Sequence, residues 1–116
     1  MNKVVTPAIR IDLDEPRHLR FDFNAFVHLE DAFNLPIKDV LDLLAGPVKL
    51  RNLATIIWAG LLHEAPALTV DEVFLILPIN DLKMVSDKVR EAIEIAFAKG
   101  DGSEKKEGGP APVAVS

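Results

Sequence analysis

The chain has 116 residues, 49% of them hydrophobic, so it is long enough for one small domain with an apolar core. It contains no cysteine, which excludes disulfides and thiolate metal sites, and its formal net charge of −5 disfavours binding to nucleic-acid phosphates. No stretch approaches the roughly 18 apolar residues of a membrane span, and the first ten residues do not resemble a secretory signal.

Two segments near the N-terminus alternate apolar and polar side chains. Residues 8–13, AIRIDL, and residues 18–23, HLRFDF, repeat with the period of two that is typical of half-buried strands. Pro16 lies between them in DEPR, as expected of a turn. The pattern predicts a β-hairpin over about residues 8–23. Its apolar face must pack on another element, because an isolated hairpin is only marginally stable in water.

Two helices are predicted after the hairpin. Asn24 is the expected N-cap of the first, and Pro36 suits the first turn of a short second helix. Gly46 is expected to end the second helix in a left-handed conformation, and Pro47 prevents its continuation.

The third helix is predicted over about residues 48–63, and the fourth has the strongest start signal in the chain. In LTVDEV, Thr69 and Glu72 have the spacing of a capping box, and Leu68 and Val73 have that of a hydrophobic staple. Pro78 is expected to end this helix.

A fifth helix is predicted over residues 81–99, with Gly100 as its stop. Residues 100–116 are rich in Gly, Pro, Ser and charge, which predicts a disordered tail. The order of elements predicts an α+β fold, mostly α, in which an N-terminal hairpin precedes four or five short helices in a compact bundle. We expect a single domain over residues 1–99, with its helices over about residues 25–99.

The His63-Glu64 pair raises the question of catalysis, but the sequence does not favour it. On a helical projection His63 lies away from the apolar stripe, in the last turn, where a histidine can meet the carbonyl end of the helix. Neighbouring acidic residues such as Glu30 and Asp31 point in different directions along a helix. No nucleophile motif or phosphate-binding loop is present. We therefore expect no catalytic residue, no cofactor and no enzymatic activity.

A metal site is not expected either. The three histidines, His18, His28 and His63, fall on separate predicted elements, and none forms the i, i+4 pair typical of helical zinc sites.

The third helix has a wider apolar arc than one buried stripe explains. Ile56, Trp58 and Leu62 lie at the flanks of the stripe, and Phe74 belongs to the apolar segment VFLILP of residues 73–78. Either this helix is central and packed on several sides, or these residues form a partner-binding surface. The inward stripe itself is predicted to contain Leu50, Leu53, Ala54, Ile57 and Leu61.

Two segments of the chain carry a family resemblance, LRFDFNAFVHLEDAFN and LRNLATIIWAGLLHEAPALTVDEV. Together they resemble the tail assembly chaperones of long-tailed bacteriophages and gene transfer agents, over roughly residues 9–99. The first family element is matched by Leu19, Phe21, Asp22, Phe23, Asn24 and Ala25. The second is matched by Trp58, Ala59, Gly60, Leu61, His63, Glu64, Leu68, Thr69, Glu72 and Val73.

The resemblance implies a non-enzymatic role in the cytoplasm of a bacterial host. Proteins of this family are thought to keep the tape measure protein soluble and extended while the tail tube polymerises around it, and they are absent from the mature virion. The tape measure protein is the expected partner, with the tail tube protein and a second copy of the chain as secondary candidates. No nucleic acid, membrane or small-molecule substrate is expected.

Two other functions remain open at the level of sequence. One is a structural tail or head–tail connector protein that stays in the virion. The other is a helical transcriptional regulator, since compact helices joined by short turns can imitate a helix-turn-helix. The acidic balance of the chain and the mixed charges of its last helix argue against the regulator.

Overall fold

The structure, a computed structural model, describes residues 6–100, with side chains described as far as residue 98. It begins with an antiparallel hairpin of strands β1 (Ile9–Asp12) and β2 (Pro16–Leu19), in which Ile9 pairs with Leu19. One face of the hairpin is buried through Ile11 and Leu19. The predicted hairpin is therefore confirmed. Pro16 opens the second strand instead of lying in the turn, a position that a strand tolerates because the pyrrolidine nitrogen has no N–H to donate.

The second strand ends earlier than its alternating pattern predicts. Phe21 is fully buried, as predicted, but Phe23 is the first residue of helix α1 (Phe23–Phe33) and is 80% exposed. The N-cap is Asp22, not the predicted Asn24, because the Asp22 carboxylate accepts a hydrogen bond from the backbone N–H of Ala25 at 2.9 Å. An aspartate in this position satisfies an N–H that the first turn of a helix leaves free.

The junction between α1 and the short helix α2 (Ile37–Asp42) is closed by a left-handed residue. This residue is Asn34, at φ 56° and ψ 44°, and its N–H donates to the Glu30 carbonyl. The Glu30 carboxylate in turn accepts from the N–H of Ile37 at 2.7 Å. Gly46 was expected to take the left-handed role at the end of α2. That prediction is wrong: α2 ends at Asp42, and Gly46 has no positive φ.

Three further helices complete the described chain: α3 (Leu50–Leu61), α4 (Val70–Ile76) and α5 (Leu82–Gly100). The capping box is confirmed, since the Thr69 side chain accepts from the Glu72 N–H and the Glu72 carboxylate accepts from the Thr69 N–H. Pro78 follows α4 as predicted and precedes a 3₁₀ turn, Ile79–Asp81. The tail is predicted over residues 100–116, but Gly100 is the last residue of α5, and residues 101–116 lie outside the described residues.

Helix α3 is the centre of the molecule. It packs against β2, α1, α4 and α5, while α5 also covers β1. Four residues of the predicted stripe are buried, but Leu50, at the exposed start of the helix, is 48% exposed. The largest fully buried side chains are Phe21, Ile11, Leu19, Leu29, Leu53, Ile56, Ile57, Leu61, Val40, Val73, Val85 and Val89. Helix α5 buries Val85, Val89, Ile93 and Ala96 on its inward face, and Leu82 at its start is partly buried.

Gly60 marks the closest approach of α3 to the hairpin. The backbone N–H of Arg20, just beyond β2, donates to the Gly60 carbonyl at 2.9 Å. A Cβ atom on Gly60 would lie 2.8 Å from the Phe21 ring, so a larger residue does not fit without a shift. This contact fixes the position of Arg20 relative to the end of α3. Within residues 6–100, every helix is too short or too polar to span a lipid bilayer.

Candidate functional site

An open groove of about 410 Å³ lies between the start of α1, the C-terminal half of α3 and the loop before α4. We call it the α1–α3 groove. It contains two of the residues that the sequence predicts for partner binding, Trp58 and Leu62. Its lining includes Arg20, Asp22, His28, Trp58, Leu62 and Leu68.

Trp58 forms an immobilised apolar wall of this groove. Its indole N–H donates to the Leu68 carbonyl at 2.7 Å, which joins α3 to the loop before α4. The His28 ring of α1 meets the indole edge-on, with centroids 5.7 Å apart and an interplanar angle of 71°. Because its only donor is already used, Trp58 offers a partner its ring surface and no hydrogen bond.

Arg20 provides the unmatched polar group. Its side chain is partly exposed, but its Nε is buried and has no hydrogen-bond partner in the described part of the chain. Within residues 6–98, its guanidinium also takes part in no salt bridge. An unsatisfied buried donor is uncommon in folded proteins, because it loses its hydrogen bonds to water without replacement.

Two other polar side chains that line the groove, Asp22 and His63, form hydrogen bonds within the fold. Asp22 caps α1 through the N–H of Ala25. His63 lies 2.6 Å from the carbonyl of His18, measured from its Nε2, which must therefore carry the proton and donate.

The His63-Glu64 pair has a structural role that the sequence did not reveal. His63 is exposed and points away from the core, as predicted, but it lies beyond the end of α3 at Leu61 and not in its last turn. It bonds to a strand carbonyl and not to the carbonyl end of α3. The Glu64 carboxylate accepts from the backbone N–H of His18 at 2.8 Å and lies 3.3 Å from its ring Nδ1. The pair thus clamps the end of α3 to strand β2. Both residues contact His18, which precedes them by 45 and 46 residues, so no local sequence pattern signals the contact.

The clamp changes the acidity of Glu64. Partial burial acts to raise the pKa of its carboxyl, but the two hydrogen bonds from His18, with the nearby imidazoles, outweigh this effect and lower the pKa below its ordinary value of 4.5.

The predicted partner-binding residues do not form one surface. Ile56 is 0% exposed and belongs to the core, so its predicted place at the surface is wrong: α3 is packed on that side as well. Phe74 is 36% exposed, and the Arg51 guanidinium lies 5.2 Å above its ring centroid. Arg51 is at the N-terminal end of α3, about 16 Å along the helix axis from Leu62. The structure therefore brings Trp58 and Leu62 together and leaves Phe74 apart.

Helix α4 carries further exposed apolar residues that the sequence did not single out. Leu75 is 83% exposed, and Ile79 in the following turn is also largely exposed. Neither lines the α1–α3 groove. These side chains provide matched controls for the groove residues in the experiments below.

No group of three or more His, Cys, Asp or Glu side chains in the described part of the chain is arranged to hold a metal ion. Comparisons of the chain with protein-family models, with curated proteins and with solved structures found no match. Function is therefore inferred from the groove and from the resemblance in the sequence.

Proposed function

We propose that the protein is a tail assembly chaperone of a long-tailed bacteriophage or gene transfer agent, which binds an apolar helical segment of the tape measure protein in the α1–α3 groove. The observation that carries the proposal is the pairing of Trp58 with Leu62 in a groove that the fold leaves open. Both residues also lie in the second of the two segments that carry the family resemblance.

The groove suits a helical client on physical grounds. Amphipathic helices bind by placing apolar side chains, spaced by three or four residues, into a groove with a fixed apolar wall and a polar rim. Trp58 supplies such a wall, because its hydrogen bond to Leu68 holds the ring in place before the client arrives. The net charge of −5 keeps a complex with an apolar client in solution in the host cytoplasm. The role requires binding and release, and no chemical step.

The test is co-purification of the tape measure protein with two variants of this chain after co-expression. Leu62→Glu places a charge in the groove and is expected to abolish co-purification. Leu75→Glu makes the same change at an exposed leucine outside the groove, and is expected to leave co-purification intact. Far-UV circular dichroism of both variants should match the wild type, because neither leucine is fully buried.

Three results would count against the proposal. If Leu62→Glu still bound the client, the groove would not be part of the interface. If only Leu75→Glu lost the client, the interface would lie on α4. Stoichiometric presence of the chain in purified virions, measured by mass spectrometry, would instead support a structural tail or connector protein.

A further inference from the structure

A second apolar surface lies between α1 and the end of α5. Phe26 of α1 stacks on Phe97 of α5, with ring centroids 5.4 Å apart and an interplanar angle of 26°. Phe23 lies one helical turn from both Phe26 and Val27, so these side chains are neighbours on α1. Phe23 is 80% exposed, Phe97 43% and Val27 38%. We call these four residues the α1–α5 patch. Exposed apolar groups that adjoin one another are typical of interaction sites.

The rim of the α1–α5 patch is acidic. Asp31 lies one turn beyond Val27, and Glu94 lies one turn before Phe97, so both carboxylates are close to the apolar side chains. Both acidic residues are exposed, and within the described part of the chain neither takes part in a salt bridge. Helix α1 contains no Lys or Arg, and neither do residues 91–98 of α5.

One arginine lies near this rim but is engaged elsewhere. Arg90 precedes Glu94 by one turn of α5, and its guanidinium donates to the Leu44 carbonyl at 3.0 Å. The charge that a ligand meets at the patch is therefore negative. Cationic side chains complement such a surface, because they pair with carboxylates and also bind the faces of exposed aromatic rings.

We propose that the α1–α5 patch binds a segment of another protein in which Lys or Arg side chains flank a large apolar residue. The apolar residue packs on Phe23 and Phe97, and the cations meet Asp31 and Glu94. No residue of the patch lines the α1–α3 groove, so the inference goes beyond the proposed function and does not depend on it.

The same charges argue against two nearer occupants. A second copy that paired through the same patch would bring its own Asp31 and Glu94 against the acidic rim, which is unfavourable. In the C-terminal segment of this chain, Lys105 and Lys106 stand between Glu104 and Glu107, so that stretch has no net charge. A basic segment of another protein fits the rim better than either.

The first test is selection from a library of random 16-residue peptides, displayed as internal fusions, with the full-length protein as bait. Peptides that bind Phe23→Ala equally well are discarded, because they do not use the patch. This variant should fold as the wild type does, since Phe23 is 80% exposed. The retained peptides should be enriched in Lys or Arg within four positions of Leu, Ile, Phe or Trp. Retained peptides without this enrichment, or no retained peptides, would overturn the inference.

Net charge alone attracts basic peptides to a protein of charge −5, so the selection needs a control of equal charge. The rim variant combines Asp31→Asn with Glu94→Gln. The control variant combines Asp71→Asn with Asp81→Asn, which removes two exposed carboxylates, one on α4 and one just before α5. The start of α5 is about 22 Å from Phe97 along the helix axis. Basic enrichment should be lost with the rim variant and kept with the control variant, and loss with both would overturn the inference.

The second test is fluorescence anisotropy with the strongest retained peptide and a version in which Gln replaces its Lys and Arg residues. The rim variant should bind the basic peptide about fivefold more weakly than the wild type does, because two charge pairs at the surface are lost. The Gln peptide should bind both proteins equally. Leu75→Ala, which shortens an exposed side chain on α4, is the matched control for Phe23→Ala and should change neither affinity. Equal weakening of both peptides by the rim variant would overturn the inference.

The two nearer occupants would give different results. If the C-terminal segment of this chain occupied the patch, Lys105→Gln with Lys106→Gln in the full chain would strengthen peptide binding. If a second copy occupied it, sedimentation equilibrium would show a dimer that Phe23→Ala converts to a monomer. Either result would overturn the inference, which expects unchanged peptide affinity in the lysine variant and no effect of Phe23→Ala on the oligomeric state.

Discussion

At the scale of single residues, the contact between Gly60 and Phe21 decides how closely α3 can approach the hairpin. A Cβ on Gly60 would lie 2.8 Å from Phe21 and 3.0 Å from Leu19, both of which are fully buried. Overpacking of this kind costs about 1–3 kcal/mol, which outweighs the roughly 1 kcal/mol that alanine contributes over glycine inside a helix. We expect Gly60→Ala to lower the free energy of unfolding by up to about 2 kcal/mol, measured by urea denaturation.

Gly46 provides the control for this prediction. No atom lies within 4 Å of the place where its Cβ would be, and its φ is not positive. Gly46→Ala should therefore leave the free energy of unfolding unchanged or slightly raised, because alanine restricts the unfolded chain. If both variants lost the same stability, the close packing of Gly60 would not be the cause.

At the scale of elements, the hairpin is held to α3 by the clamp between Glu64 and His18. The clamp lowers the pKa of Glu64 below 4.5, so its contribution to stability is fully present above that pH and is lost as pH falls through the folded-state value. Glu64→Gln keeps an acceptor for the His18 N–H but removes the charge. We expect the variant to be less stable than the wild type by about 0.5 kcal/mol near neutral pH, a small effect because the pair is solvent-exposed.

The pH dependence of the difference in unfolding free energy between the wild type and Glu64→Gln is a more specific test of the clamp. Urea denaturation of both proteins between pH 7 and pH 3 should show a constant difference down to about pH 4.5, the ordinary value, and a shrinking one below it. Comparison with the variant is needed because Asp14 and Asp87 also have lowered pKa values, caused first by hydrogen bonds from Arg17 and Lys83. A difference that did not change with pH would show that the Glu64 charge contributes nothing to the clamp.

The element boundaries also show which structural features a sequence can predict. The capping box of Thr69 and Glu72 was predicted correctly because all its partners lie within four residues. The start of α1 was misplaced because Phe23 continues the alternation of the preceding strand, while the Asp22 side chain already caps the helix. Residue type alone predicts a left-handed Gly46 at the end of α2, but the left-handed helix end is at α1, where Asn34 tolerates that conformation.

The candidate site was only partly predictable, because it too depends on how the elements pack against one another. Helical spacing correctly placed Trp58 and Leu62 outside the main buried stripe, but it could not show that other elements cover Ile56. Arg20 was missed entirely, because a missing hydrogen-bond partner is a property of the folded molecule and has no sequence pattern.

At the scale of the whole molecule, the wide apolar arc of α3 has two origins. The side that includes Ile56 is buried because α3 is the central helix, in contact with both the hairpin and other helices. The side that includes Trp58 and Leu62 lines an open groove. The two explanations offered by the sequence therefore apply to different faces of the same helix, and only the second face is available for a partner.

Because Ile56 lies on the buried side of α3, shortening its side chain should destabilise the whole fold and not only one surface. Ile56→Ala should remove about 2–5 kcal/mol from the free energy of unfolding, a large part of the roughly 5–15 kcal/mol of a small domain. Leu75→Ala, which removes a leucine that is 83% exposed, should change the free energy of unfolding by less than about 0.5 kcal/mol.

Trp58 is the only tryptophan and lies on α3, so its fluorescence reports the centre of the molecule, while far-UV circular dichroism reports all helices. In urea the two signals should shift together in Ile56→Ala, because the packing around α3 joins every element into one cooperative unit. Separate midpoints for the two signals would show instead that part of the bundle unfolds on its own, and that α3 does not hold the molecule together.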